Sequence, residues 1–406
     1  MRISSTQYFN MNVATMSDQQ AQLSQLYQEI SSGVSLSTPS DNPLGAAQAV
    51  LLSSTATSLS QYTTNQGAAL SSLQQEDSTL GSVNTVLQSI HTLVLSAGDG
   101  SLNNGDRGSI ATQLQSLRSQ LMTLANATDP QGNALFGGYQ TTATPYTTNA
   151  AGVVSYSGDT GTPSMQITSS HTIQTGDNGL AIFGSVAAIG TSSVPAATAG
   201  NTGTGVISTV SLTNPTNPAN ADTYAINFTS ATTYTVTQTP PSGAPTTSAP
   251  QPFTAGSAIT LGGQTVNITG APNAGDSFSV TPATQGSMDV FANLSQLITT
   301  LQSPLSGGAS TASYQSALTT SMTQLENTMN NVVTAQAAVG GREQQVQALQ
   351  TVTQTNTLQT SSNLADLTQT DMAKTIGQYT MTQNALQAAQ QAFVKIQSVS
   401  LFQYLN

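Results

Sequence analysis

Tyr379–Asn406, YTMTQNALQAAQQAFVKIQSVSLFQYLN, closes the chain and decides how the rest is read. Tyr379, Leu386 and Phe393 recur every seven residues, and Ala389 and Ile396 follow Leu386 and Phe393 by three. A helix with this spacing carries one narrow apolar seam and needs a second helix to cover it. The opening of the chain supplies a match: Phe9, Val13, Met16, Gln20, Leu23, Tyr27 and Ile30 alternate four- and three-residue steps, with one polar interruption. The two ends are therefore expected to pair. Their remaining faces are Gln, Ser, Thr and Ala with hardly a charge, whereas surface helices meant only for water are commonly laced with charge. An ordinary two-helix core explains the seams but not these uncharged faces. The expected assembly interface is Phe9, Val13, Met16, Leu23, Tyr27 and Ile30 with Tyr379, Leu386, Ala389, Phe393, Ile396, Leu401, Phe402 and Tyr404.

Composition narrows the class. A chain of 406 residues has room for two or three domains, each with its own core. Charged residues make up only 6%, against about a quarter in ordinary globular proteins, so ion pairs are not expected to hold it together. The formal charge of -11 argues against nucleic acid or an anionic membrane as a partner. No base lies between Arg118 and Arg342, so no basic patch forms in the middle. There is no cysteine, which excludes disulfides and thiolate metal sites and suits an oxidising exterior. MRISSTQYFNMN lacks the apolar segment of a cleaved secretory signal, and no apolar run reaches the ~20 residues of a membrane span.

Inward from the ends, Gly33, Pro39 and Pro43 interrupt the first helix, and Ser40 or Asp41 is expected to cap the next, with Pro43 in its first turn. Leu59, Tyr62, Gln66, Leu70 and Leu73, then Leu80, Val83, Leu87, Ile90 and Val94, form a long stripe up to Gly98-Asp99-Gly100. Ile110, Leu114, Leu117, Leu121 and Leu124 place a returning antiparallel helix before Asp129-Pro130. From Gly132 the texture becomes turn-rich and β-branched. Strands are expected around Val153–Tyr156, Met165–Ile167, Tyr224–Phe228, Tyr234–Val236, Val266–Ile268 and Phe278–Val280, with Pro240–Pro252 as a mobile loop. Helical period returns at Phe291, Leu294, Ile298 and Leu301, and again from Leu318 through Val346, across Gly340-Gly341, which suggests close packing or a joint.

The expected fold is thus mainly α: an antiparallel long-helix rod or coiled coil made of both chain ends, with an inserted β-rich domain. Its parts are residues 1–45 (N-terminal helix and spoke, pairing with 360–406), 46–146 (rod, N-terminal half with a β-hairpin), 147–286 (inserted β-rich outer domain), 287–359 (rod, C-terminal half) and 360–406 (C-terminal assembly helix).

Catalytic chemistry finds no foothold. His91 and His171 lie apart without nearby Cys or paired acids, so a His-rich metal site is not expected, and His91 beside Ile90 reads as a packing histidine. No G-x-S-x-G, P-loop or G-x-G-x-x-G is present. Glu76-Asp77, Asp159 and Asp177 raise a glycosidase pair or a Ca²⁺ site, but solvated turn aspartates explain the loop acids better. No enzyme activity, cofactor or metal is expected.

Four stretches carry a resemblance. EISSGVSLSTPSDNP, Glu29–Pro43, is similar to the spoke segment E-I-S-S-G-K-R-x-x-x-P-S-D-D-P of the flagellin superfamily, with Val34-Ser35 in place of the basic pair and Asn42 in place of an acid. NALFGGYQTTATPY, the opening MRIS and the closing SLFQYLN resemble the superfamily's junction-forming members rather than its filament flagellins. The resemblance covers residues 1 to about 146 and 287–406; YSGDTGTPSMQI and PNAGDSFSVTP are similar, less specifically, to β segments inserted in such proteins. It implies an extracellular structural protein of the bacterial flagellum, exported unfolded through the type III apparatus without a cleaved signal peptide. As a self-associated ring it would lie between hook-associated protein 1, the first hook-filament junction protein, and flagellin, guarded before export by a flagellar export chaperone. A filament-forming flagellin, or a secreted adhesin with a β-rich binding domain, are the alternatives; the absence of Trp weighs against a carbohydrate platform.

Overall fold

Proline and glycine punctuate the chain where its helices stop. In the computed structural model, which describes residues 5–402 apart from 37, 41, 151, 188 and 189, the helices are α1 Ser5–Ser32, α2 Pro43–Ala97, α3 Asn104–Ala125, α4 Val290–Gln302, α5 Gly308–Thr368 and α6 Met372–Phe402. Strands occupy the stretch from Tyr146 to Thr281. The fold is mainly α, with long terminal helices around an inserted β-rich region. Residues 1–64 and 349–406 form one compact unit and residues 65–348 the other.

In the first unit α1 packs along α6. Gly33 ends α1 in the left-handed region, at φ 71°, where a Cβ would be strained. A clasp follows: Ser35 N–H donates to Thr368 O at 2.9 Å, and Thr370 N–H to Gly33 O at 3.0 Å. The cap of α2 is Asn42, not Ser40 or Asp41: its Oδ1 accepts the Gly45 N–H at 2.9 Å. Pro43 occupies the first helical position, so the capping residue must be its immediate predecessor; Asp41 itself lies outside the described residues. Asn42→Ala should cost about 1 kcal/mol locally, read as roughly fivefold faster amide exchange in the first turn of α2.

In the second unit α2 and α5 run antiparallel. Tyr314 Oη donates to Ala97 O at 2.6 Å, and a Cβ on Gly81 would sit 3.6 Å from Gln336 Nε2. Leu73, Leu80, Val83, Leu87, Ile90 and Val94 are buried along α2, as are Leu318, Leu325, Val332, Val339 and Val346 along α5, so the periodic stripes are core. His91 sits half-buried between the helices, its ring 3.7 Å from the Glu326 carboxylate across the pair. Gly340 and Gly341 continue α5 without interruption, and a Cβ on either would meet nothing within 4 Å. They are not sites of close packing in this chain.

The turn between α2 and α3 is held by a buried cation without an acid. Arg107 lies 5.0 Å over the Tyr314 ring, and its Nη2 donates to Asn104 Oδ1 and, at 3.2 Å, to Ser303 O. Beyond α3, residues 126–146 form a knot of turns with one isolated bridge, Thr128 to Ala134. Two hairpins come next, β1 Tyr146–Thr148 with β2 Val154–Tyr156 and β3 Ser164–Gln166 with β4 Thr172–Gln174. At their base Phe136, Tyr146, Phe183 and Phe291 make an aromatic core, with Phe183 edge-on to Phe136 at 5.5 Å and Tyr146 on Phe291 at 5.0 Å.

The outer part is a sandwich of antiparallel sheets. One sheet is ordered β10-β9-β8-β14-β5, with β11 also on β9; the other is β12-β13-β6, with β7 also on β13. Their ranges are β5 Val194–Ala197, β6 Val206–Ile207, β7 Ser211–Leu212, β8 Thr223–Ser230, β9 Thr233–Thr239, β10 Thr246–Thr247, β11 Gln251–Pro252, β12 Ala258–Leu261, β13 Gln264–Thr269 and β14 Ser277–Thr281. Alternation along β8 puts Tyr224, Ile226 and Phe228 inward against Val266, Ile268, Phe278 and Val280. The Pro240–Pro252 stretch is not a free loop. Thr246–Thr247 and Gln251–Pro252 both pair with β9, in two-residue strands that suit a segment whose prolines donate no hydrogen bond.

Candidate assembly interface

On α6 the positions partly or fully covered are Thr375, Tyr379, Thr382, Leu386, Ala389 and Phe393, an unbroken alternation of four and three. On α1 they are Asn12, Met16, Gln19, Leu23, Leu26, Glu29 and Ile30, among the residues whose side chains are described. The two seams meet, most visibly where the Phe9 and Phe393 rings approach to 5.2 Å between centroids. Of the expected α1 residues, Met16, Leu23 and Ile30 lie on the covered side, while Phe9, Val13 and Tyr27 are 43%, 43% and 64% exposed. The residue that takes the place of Tyr27 is Leu26, the one fully buried apolar side chain among the described residues of α1.

The reason is rotational. Residues 13, 20 and 27 sit one position, about 100°, around the helix from 12, 19 and 26, and both sets flank Met16, Leu23 and Ile30. Helix α1 therefore carries apolar groups on two adjacent stripes but α6 covers only one. Asn12 and Gln19 lie on the covered stripe and mask it in the sequence. The same unit exposes Leu44, Val50, Leu51, Leu358, Met372, Ile376, Met381 and Val394, none of which stood out as a seam because no helical spacing among them extends beyond a single pair. Ile396, Leu401 and Phe402 lie on α6 with side chains outside the described set, and Tyr404 is outside the described residues altogether.

These exposed groups have few charges for company. Within its bounds α1 carries only Asp18 and Glu29, and α6 only Lys374 and Lys395. The uncovered stripe of α1 and the scattered exposed apolar side chains of α6, on nearly uncharged helices, are better matched to another protein surface than to water.

The loop acids have structural work. Asp159 Oδ1 takes the Tyr139 and Gly161 N–H groups at 3.0 and 2.7 Å, which holds its carboxyl below the usual range. Asp177 is not a solvated turn residue: its carboxylate binds Arg342 Nη2 at 2.6 Å, with both side chains mostly buried. Beside them Glu76 is 1% exposed. Burial first, and the Asp177 charge second, push its carboxyl up to about 8, with Arg342 opposing. Among the described residues no group of three or more His, Cys, Asp or Glu is placed to hold a metal ion, and no helix is long and apolar enough to cross a membrane.

Residues 3–141 match the family model of the bacterial flagellin N-terminal helical region. Over 404 residues, 99% of both chains, the sequence is 26% identical to flagellar hook-associated protein 3 of Salmonella typhimurium. The crystal structure of flagellar hook-associated protein 3 from Legionella pneumophila superposes with a TM-score of 0.69 at 26% identity, covering 78% of this chain and 98% of that one. The chain is a homologue of flagellar hook-associated protein 3. By contrast the filament core protein of Borreliella burgdorferi aligns at 27% identity over only 106 residues, 26% of this chain and 32% of its own length, so the filament reading and the adhesin reading are not favoured.

In this hook-associated protein 3 homologue the spoke departs from the superfamily pattern at Val34-Ser35, and the clasp shows what serves there instead. Val34 bridges Gln369 through backbone, and Ser35 reaches Thr368 O through both its N–H and, at 3.4 Å, its hydroxyl. Neutral backbone bonds join the two segments, and no ion pair is needed.

Proposed function

We propose that this protein is a structural component of the bacterial flagellum that forms the adaptor ring at the hook-filament junction, by packing of terminal helices between subunits. The observation that carries the reading is the pair of seams: α1 and α6 satisfy one stripe in each other, with Phe9 on Phe393, and leave Val13, Tyr27 and the exposed part of Phe9 for a neighbour. Burying such groups yields about 25 cal/mol per Å² of apolar area, repeated in every subunit. The neighbours in this reading are further copies of the chain, hook-associated protein 1 on the hook side and flagellin on the filament side, with an export chaperone covering the C-terminal helix before secretion. The protein works outside the cell and has no enzymatic role in the assembly.

Electron microscopy of a strain lacking the protein tests this. Hooks without filaments, with flagellin shed into the medium, are expected, and full filaments in that strain would reject the reading.

The outer sandwich contributes none of these seams. Deleting residues 191–286 behind a short Gly/Ser linker should leave a subunit that still restores filament growth. Starting the deletion at 147 instead removes Phe183 and Asp177 and strips the cover from Phe136 and Phe291, so that protein should fail to fold. If the shorter deletion is exported and soluble yet grows no filament, the sandwich makes junction contacts that this reading denies it.

A further inference from the structure

Side chains fasten the β3–β4 hairpin and the loop after it to the two long helices of their unit. Asn65 and Gln66 of α2 donate to the carbonyls of Gln166 and Ile167 at 2.7 and 2.8 Å. From α5, Gln345 meets His171 at 2.9 Å and Arg342 holds Asp177 at 2.6 Å. A further fastening is Glu76, whose Oε1 accepts the Asp177 N–H at 3.1 Å.

Charge is unbalanced here. The titratable groups around Glu76 are Asp77 on its own helix, Arg342 and Glu343 on α5, His171 on the hairpin and Asp177 on the loop. Arg342 is the single guanidinium, and its short contact is to Asp177. Glu76 Oε2 is buried without a hydrogen-bond partner. An ionised Glu76 would be desolvated and pressed against the Asp177 carboxylate; Arg342, engaged with Asp177 through Nη2 and with Nη1 buried and unpartnered, offsets only part of this, because burial and the Asp177 charge outweigh it.

We propose that Glu76 is a proton-dependent latch: protonated, it lets the hairpin Ser164–Gln174 and the Asp177 loop close on α2 and α5, and ionised, it drives them off. Fastened, the carboxyl titrates near 8, and released it returns toward its ordinary 4.5. The closed state thus binds the proton more tightly, so closure is strongest below the ordinary value. It weakens by up to about tenfold per pH unit as pH rises between the two values, and levels off above the upper one.

Hydrogen exchange of the full-length protein, followed on peptides covering residues 164–178 with intrinsic rates divided out, reads this directly. Protection in the wild type should fall with pH up to about 8 and then level, while Glu76→Gln, neutral throughout, stays protected with no pH dependence. The same slope in both proteins would falsify the latch. Infrared difference titration of the wild type provides a second reading that does not depend on how the variant folds. A protonated-carboxyl band lost with a midpoint near 8 is expected, and the absence of any carboxyl titrating above about pH 6 overturns the proposal.

Discussion

Phe393→Asp should leave hooks bare of filament while the unit formed by residues 65–348 keeps its fold. The substitution removes the ring that meets Phe9 at 5.2 Å and sets a carboxylate on the covered stripe, one turn from Ala389 and two from Leu386, neither of which can pair with it. An unpaired charge in such a place costs several kcal/mol or takes up a proton, and a ring incurs that cost at every subunit. Complementation of a strain lacking the protein measures the effect, with circular dichroism and thermal melting of the purified variant alongside. Phe393→Leu, which keeps the seam apolar, should retain function. Normal motility with the Asp variant would sink the idea, as would loss of the 65–348 fold.

The largest loss of stability is expected at Phe291→Ala. Phe291 is fully buried at the start of α4, 5.0 Å from Tyr146 and 6.1 Å from Phe183 between ring centroids. Its carbonyl also takes the Arg118 Nε–H at 3.3 Å, tying α4 to α3. Emptying that position should cost about 3–5 kcal/mol, because rings held from three separate segments cannot collapse onto the space. Denaturant unfolding of the full chain checks it, with Phe291→Leu expected to recover more than half of the loss. A cost below about 1 kcal/mol would mean the aromatic core is less tightly packed than its geometry implies.

The strict heptad of Tyr379, Leu386 and Phe393 made α6 legible, since nothing polar interrupts those positions. Its partner was half legible. Met16, Leu23 and Ile30 lie on the stripe that α6 covers, but Asn12 and Gln19 on that stripe hid the other half, and Val13 and Tyr27 offered a more apolar route around the helix. Strands with clear alternation, β8, β9, β13 and β14, could be read directly. The two-residue strands β6, β7, β10 and β11 could not, because two residues are too short to show an alternation, and β6 and β7 also pair with β13, more than 50 residues on. The bond between Asp177 and Arg342 spans 165 residues and has no local signature, which is why Asp177 read as a solvated turn.

The clasp between Gly33–Ser35 and Thr368–Thr370 bears on the order in which the molecule can form. Its hydroxyl bond joins residues 333 apart, and closing an unstructured loop of that length costs on the order of 5 kcal/mol in chain entropy for a few neutral hydrogen bonds. That closure becomes affordable once α2 and α5 have paired, since the pairing shortens the effective loop to the few turns of helix on either side. Helix α1, which precedes the other described helices in the chain, is thus among the last elements to reach its native partner. A newly folding subunit would hold its middle folded before its ends, and the apolar faces of α1 and α6 would stay open to whichever partner, internal or neighbouring, reaches them first.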